Sequence, residues 1–199
     1  MEIKITRTTT PKEKPQDESK LGFGRVMTDH MFLMNYDEGQ GWHDARVVPY
    51  APLQMDPSCM VLHYAQEVFE GLKAYRWADG SVHLFRPIEN ARRLQNSNER
   101  MCIPMIDEND FVEAVKTVVK VDEDWVPHQE GTSLYIRPFV FATDCHLGVH
   151  ASKSYLFCII LSPSGSYYPN GIDPVNIYVE NNDVRAVRGG TGFTKCGGN

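Results

Sequence analysis

Residues 71–101 read GLKAYRWADGSVHLFRPIENARRLQNSNERM, and this stretch decides the fold. Its first half alternates apolar and polar residues on both sides of Ala78-Asp79-Gly80, which predicts a β-hairpin closed by a tight turn. Pro87 then opens a helix, because proline has no N–H group to leave unpaired in a first helical turn. A hairpin that leads directly into a helix predicts a fold of the α+β class.

A second helix and two buried strands follow along the chain. Asp107 and Asp110 flank the start of this helix as a capping pair. The apolar residues behind them recur at helical spacing and share one face: Phe111, Val112, Val115, Val118 and Val119. After a loop at 127–131, the stretches TSLYIRPFVFAT and SYLFCIILSP are rich in β-branched and aromatic residues, which predicts two buried strands.

Composition divides the chain into four parts. Residues 1–20 mix basic and acidic side chains without an apolar run, which predicts a polar, partly disordered arm. Residues 21–165 form the predicted N-terminal domain, and SPSGSYYPNGIDP, with three prolines and two glycines, predicts an interdomain loop at 166–174. VNIYVE and RAV are candidate strands of a second domain at 175–199. A domain does not normally finish one or two strands past its boundary, so we expect this second domain to be unfinished.

Charge and cysteine content exclude several classes of protein. A formal net charge of −6 disfavours nucleic-acid binding, and no apolar run approaches the roughly 20 residues of a membrane helix. Five cysteines without a C-x-x-C spacing favour a reducing, cytoplasmic setting over a disulfide framework or a zinc site. The histidines in the middle of the chain are scattered, and we expect no metal site from them: His63, His83, His146 and His150.

The segment GGTGFTKCGGN surrounds a single lysine, Lys195, with glycines. Glycines let a backbone approach a ligand closely, and a lysine of lowered pKa can form a Schiff base with an aldehyde. Composition alone favours a flexible tail with a solvated lysine. A phosphate-binding P-loop is excluded, because Thr194 precedes the lysine where that motif needs glycine, and Cys196 follows it.

The segment RAVRGGTGFTKCGGN resembles the one that bears the pyridoxal-phosphate (PLP) lysine of fold-type IV aminotransferases, in their branched-chain form. Five further stretches resemble this family in the same order: FGRVMTDHM (23–31), LHYAQEVFEGLKAY (62–75), LFRPIENARRL (84–94), DWVPHQEGTSLYIRP (124–138) and SGSYYPNG (164–171). The resemblance covers residues 21–199 and is greatest to the eukaryotic-type branch. It implies a complete N-terminal α/β domain and the first strands of the PLP-binding domain.

The resemblance also implies roles for single residues. Lys195 would bind PLP covalently and then move the proton between the substrate Cα and the cofactor. Arg93 would bind the PLP phosphate through paired, charge-assisted hydrogen bonds, with its neighbour Arg92 on the surface.

Six side chains match the family's substrate pocket: Phe23, Tyr64, Phe69, Tyr135, Val149 and Tyr167. An apolar, aromatic-walled pocket suits a branched aliphatic side chain. Arg137 would lie beside Tyr64, order the pocket wall and receive the second carboxylate of glutamate. Without the family, packing in the core is the more frequent role for such aromatic residues.

The implied function is reversible transfer of an amino group from leucine, isoleucine or valine to 2-oxoglutarate, by a homodimer. GTSLYIRP and HYAQEVFEG favour this reaction over a D-amino-acid aminotransferase or an aminodeoxychorismate lyase of the same fold. A third alternative is a non-catalytic fragment that binds another chain. The family's pattern continues beyond residue 199, where the acidic residue for the pyridine nitrogen lies. We therefore expect the 199-residue chain to be inactive alone.

Overall fold

A computed structural model describes residues 1–168 and 173–198 of the chain. The described part contains one eight-stranded sheet in the order β1-β3-β2-β8-β7-β5-β6, with β4 paired to β7. The strands are β1 (Lys4–Ile5), β2 (His30–Asp37), β3 (Gly41–Pro49), β4 (Glu67–Phe69), β5 (Leu72–Arg76), β6 (Val82–Leu84), β7 (Ser133–Ala142) and β8 (Ser154–Ser164). The helices are α1 (Val61–Tyr64), α2 (Pro87–Met101) and α3 (Glu108–Val121), with 3-10 turns at Glu18–Lys20 and Glu123–Trp125.

The central hairpin and the helix after it are confirmed. β5 and β6 pair antiparallel, with Ala74 opposite Leu84 and Arg76 opposite Val82. Pro87 occupies the first turn of α2, as predicted. The α+β class assigned from this stretch is therefore confirmed.

α3 covers one face of the sheet, as its apolar spacing predicts. Asp107 caps the helix by accepting hydrogen bonds from the N–H groups of Asn109 (2.8 Å) and Asp110 (3.1 Å). Phe111 and Val115 are buried against the sheet. Each such side chain contributes about 1.5–3 kcal/mol on burial, so this face accounts for much of the core.

β7 and β8 are the two predicted buried strands, and they pair antiparallel along their whole length. Alternate residues of β7 point to opposite faces of the sheet. Ile136 and Val140 are fully buried in the core under the helices. Tyr135 and Arg137 share the opposite face with Phe139, which packs on a second, smaller apolar cluster. The sheet therefore presents these two candidate site residues on the side away from the helices.

The polar N-terminal arm is ordered, contrary to the expectation of partial disorder. β1 adds to β3 as a parallel strand. The N–H of Thr8 donates to Nε2 of buried His30 (2.8 Å), and Lys12 donates through Nζ to the carbonyl of Thr28 (2.7 Å). Edge pairing and buried acceptors hold the arm although it lacks an apolar stripe.

The predicted strands VNIYVE and RAV do not form. Residues 174–180 and 186–187 have no assigned secondary structure, and Ile177 and Tyr178 are both 82% exposed. A strand requires a neighbouring strand for its N–H and C=O groups, and apolar composition does not supply one.

Part of the predicted interdomain loop, at 169–172, and the last residue, Asn199, lie outside the described residues. Within the described residues, no helix is long and apolar enough to cross a membrane.

Candidate active site

The segment around Lys195 is anchored at both sides of the lysine. The N–H of Phe69 donates to the Lys195 carbonyl (3.0 Å), and the N–H of Lys195 donates to Oγ of Ser97 on α2 (3.0 Å). Cys196 forms an antiparallel β-bridge with Val68 and is buried. The segment is therefore bound between β4 and α2, and the flexible tail favoured by composition does not describe it.

The Lys195 side chain lies in a partly buried position over an aromatic ring. Nζ is 4.3 Å from the centroid of Phe69. Burial, chiefly, and then the positive charges of Arg93 and Arg137 lower the pKa of Lys195, while Glu70 opposes this effect. A lowered pKa increases the fraction of free amine near neutral pH, which is what nucleophilic addition to an aldehyde requires.

Arg93 is held by a buried carboxylate beside this lysine. Its Nε donates to Oε1 of Glu70 (2.6 Å) and its Nη2 to Oε2 (2.8 Å). Glu70 is fully buried, and the side chain of Arg93 is 52% exposed. The hydrogen bonds that Arg93 donates to Glu70 raise the pKa of Arg93, so the guanidinium remains charged. Arg92 points to the surface, as the resemblance implies, and pairs with Glu89 and Glu108.

Four of the predicted pocket residues form a ring cluster with Arg137. The ring of Phe23 lies 4.7 Å from that of Tyr135 and 5.1 Å from that of Tyr167. Arg137 donates to the Tyr135 hydroxyl (3.1 and 2.7 Å) and lies 4.7 Å above the ring of Phe69. Phe69 is thus covered by Arg137 and by Lys195, which connects the cluster to the lysine.

An open cavity of about 310 Å³ adjoins this cluster. Its lining is mainly apolar and aromatic, with Arg137 and one serine as polar members: Phe23, Gly24, Met27, Tyr135, Arg137, Ile160, Leu161 and Ser162. The volume and lining suit a small molecule with an aliphatic part and an anionic group.

Tyr64 and Val149 lie elsewhere in the described structure. The Tyr64 hydroxyl donates to the Leu147 carbonyl, and Val149 is 86% exposed. The hydrogen bonds of Arg137 go to Tyr135, whereas the resemblance implied a position beside Tyr64. The chain therefore brings five of the seven predicted substrate-binding residues together and leaves these two apart.

The structure adds three residues that sequence analysis did not single out: Glu67, Glu70 and Ser97. Glu67 contacts the lysine segment, since a Cβ at Gly197 would lie 1.9 Å from its Oε1. A side chain at 197 would therefore displace the Glu67 carboxylate. Burial raises the pKa of the Glu67 carboxyl. Glu70 lies within the quoted stretch LHYAQEVFEGLKAY, which was the available signal. Ser97 gave no signal, because it is one polar residue in a polar helix.

Comparison with solved structures defines the class of the fold. The chain resembles a branched-chain aminotransferase of Thermoproteus uzoniensis, crystallised with norvaline, with a TM-score of 0.55 and 21% identity over 70% of this chain and 43% of that chain. It also resembles the Escherichia coli branched-chain amino acid aminotransferase, with a TM-score of 0.51 and 26% identity over 67% of this chain and 40% of that chain. The fold is that of the fold-type IV aminotransferases. No protein-family model matches the chain.

Sequence comparison identifies the relatives more narrowly. The chain is 57% identical over 197 residues to branched-chain-amino-acid aminotransferase 2 of Bacillus subtilis, covering 99% of this chain and 54% of that protein. It is 50% identical over 203 residues to the branched-chain-amino-acid aminotransferase of Mycolicibacterium smegmatis, covering 100% of this chain and 55% of that protein. The chain is a homologue of branched-chain-amino-acid aminotransferases. It spans about half the length of the curated relatives it matches.

Proposed function

We propose that this chain supplies the cofactor lysine and much of the substrate pocket for PLP-dependent transamination between branched-chain amino acids and 2-oxoglutarate. The observation that carries the proposal is Lys195, a partly buried lysine of lowered pKa whose backbone is fixed by Phe69 and Ser97. The names of the relatives from Bacillus subtilis and Mycolicibacterium smegmatis support the reaction class.

The donor set fits PLP on two counts. Lys195 offers an amine for the cofactor's aldehyde, and the ring of Phe69 below it leaves an apolar surface for a flat group. Arg93 offers a guanidinium for the phosphate, and its charge is near enough to lower the pKa of Lys195. When bound, PLP supplies an electron-accepting ring for the charge that develops at the substrate Cα.

The residues of the chain then have distinct tasks. Lys195 holds the cofactor through Nζ and, once released, moves a proton at the substrate Cα. Phe69, Phe23 and Tyr135 exclude water from the branched side chain, and an apolar wall leaves no polar group unsatisfied there. Arg137, held by the Tyr135 hydroxyl, receives the side-chain carboxylate of glutamate in the second half of the cycle.

A homodimer in the cytoplasm completes the proposal. Apolar surface is exposed at Tyr64 (41%), Leu62 (58%) and Val149 (86%). The proposal assigns Tyr64 and Val149 to a pocket shared between subunits. A D-amino-acid aminotransferase, an aminodeoxychorismate lyase and a non-catalytic binding chain are the alternatives, and the names of the relatives do not favour them.

The test uses a chimera in which residues 1–199 replace the matching part of the Bacillus subtilis aminotransferase 2, called the chimera below. Formation of the 2-oxo acid is measured with leucine and with D-alanine as amino donors to 2-oxoglutarate. We expect turnover with leucine, and none with D-alanine above background. The 199-residue chain with added PLP is the control, and we expect it to be inactive. Turnover with D-alanine alone, or none with either donor in a folded chimera, would contradict the proposal.

A further inference from the structure

Glu70 is a fully buried carboxylate that is paired with Arg93 of the candidate active site. It follows Phe69, whose ring carries Lys195, and its own N–H donates to the Pro138 carbonyl of β7 (2.7 Å). The strand pairing therefore fixes the backbone of Glu70 at the point where the lysine segment joins the sheet.

The carboxylate of Glu70 binds four donors. Oε1 accepts from Nε of Arg93, while Oε2 accepts from Nη2 of Arg93 (2.8 Å), from Nδ2 of Asn90 (2.9 Å) and from the N–H of Gly71 (3.1 Å). A buried carboxylate is stable when a cation and further donors satisfy it, and Arg93 is that cation. Asn90 and Gly71 orient the Glu70 carboxylate, and Glu70 itself makes the contact with Arg93.

The geometry leaves one edge of the Arg93 guanidinium for a ligand. A guanidinium has two edges that can each make paired hydrogen bonds, one through Nε and Nη2 and one through Nη1 and Nη2. Glu70 occupies the first edge. The second belongs to a half-exposed side chain that lines an open cavity of about 400 Å³ with Phe85, Arg86, Glu89 and Asn90.

We infer that Glu70 is a positioning residue: it holds the inner edge of Arg93 in the core, so that the outer edge is fixed for the phosphate of the cofactor. The inference rests on the proposed function, because it takes Arg93 as the phosphate ligand. A free arginine side chain loses rotamer freedom when it binds, and Glu70 removes that loss before the ligand arrives.

The experiment compares PLP with pyridoxal, which has the same ring and aldehyde but no phosphate. Dissociation constants for both are measured by absorbance on the chimera and its Glu70→Gln variant. We expect PLP to bind about tenfold more weakly to the variant, the lower end of the loss seen when a residue that orients a metal ligand is removed. Pyridoxal should bind as before, within the small change that the altered pKa of Lys195 causes for both compounds alike.

Two further variants separate positioning from a general structural role. Glu108→Gln removes one of the two carboxylate partners of Arg92, the neighbour of Arg93 on α2, and we expect it to leave the ratio of the two constants unchanged. In an Arg93→Gln background, Glu70→Gln should add little to the loss of PLP affinity, because both changes act on one contact. Thermal unfolding of each variant checks that it is folded.

Asn90→Ala supplies a second test, should Glu70→Gln fail to fold. It removes one donor to Glu70 and keeps the ion pair, and we expect a smaller loss that again affects PLP and not pyridoxal. Equal losses for both compounds would overturn the inference in favour of a structural role. Tighter binding of PLP by Glu70→Gln would overturn it by making Glu70 a competitor for Arg93. If the unmutated chimera binds PLP no better than pyridoxal, the proposed cofactor site itself fails.

Discussion

Two stretches near the end of the chain contrast with each other, and each has the opposite order from the one its composition suggests. Residues 175–187 contain the apolar run VNIYVE, yet Ile177 and Tyr178 are 82% exposed and no strand forms among them. Residues 194–197 lie in a glycine-rich segment, yet Thr194 and Cys196 are buried. The lysine between them is bound through both backbone groups.

The difference teaches that order here depends on available backbone acceptors and donors more than on local composition. β4 and Ser97 offer groups that the lysine segment can reach, whereas VNIYVE has no neighbouring strand within the described residues. The lysine segment is therefore held by hydrogen bonds to β4 and α2, although its own composition favours a flexible tail.

The largest expected effect is on turnover, and it tests whether the ordered stretch carries the chemistry. Lys195→Ala in the chimera should lower the rate of transamination of leucine by at least about 10³-fold, because under the proposed function it removes both the covalent attachment and the proton-transfer group. Lys153→Ala, which changes a lysine that is 66% exposed, is the control and should be active. Comparable activity of the two variants would sink the assignment of Lys195.

A smaller effect is expected at the aromatic wall. Phe69→Ala and Tyr64→Ala should each reduce activity with leucine by about 10- to 200-fold, the range expected for a lost apolar contact of this kind. The loss of activity with glutamate should be smaller. Phe69→Ala should in addition show a loss common to both substrates, because its ring also contacts Lys195 and Arg137. The measurement is kcat/KM for both substrates in the chimera. Equal losses on both substrates would mean that these rings stabilise the fold and do not select the side chain.

Sequence patterns predicted the parts of the molecule whose contacts are local. The hairpin around Gly80 and the cap at Asp107 each depend on residues a few positions apart, so periodicity and turn chemistry were sufficient. VNIYVE was predicted wrongly, because a strand needs a second segment that its own sequence does not specify.

The supports of the candidate site were less predictable. Glu70 and Arg93 are 23 residues apart, and Ser97 and Lys195 are 98 apart. No spacing rule joins a helix residue to a residue outside its helix at such separations. The resemblance supplied Lys195, Arg93 and the aromatic residues, and the structure then supplied what holds them.

The anchor of the lysine segment gives a measurable effect on local stability. Ser97→Ala leaves the N–H of Lys195 without its acceptor, at a cost of about 1–3 kcal/mol, while alanine preserves the helix. We expect trypsin to cut the 199-residue chain faster after Lys195, and at an unchanged rate after Arg188 in the exposed stretch. Ser164→Ala, a buried serine of β8, is the control. An unchanged rate after Lys195 would show that Ser97 does not hold the segment.

The smallest expected effect is a shift in pH dependence. Burial and two arginines lower the pKa of Lys195, so its labelling by a trace amine reagent should reach half-maximum at lower pH than that of N-acetyl-lysine. Arg137→Met removes one of the positive charges that disfavour the ammonium form. The pKa of Lys195 should then rise, and its labelling curve should move to higher pH. A curve that moves to lower pH would contradict this account of the site's electrostatics.

The central claim is that Lys195 is the lysine that binds PLP, and borohydride reduction followed by peptide mapping tests it most directly. The chimera is loaded with PLP, reduced and digested, and the position of the pyridoxyl group is determined by mass spectrometry. We predict that within residues 1–199 the label is found on Lys195 and on no other lysine. Lys73 of β5 and the exposed Lys153 are the informative comparisons, and a label on either of them in place of Lys195 would contradict the account.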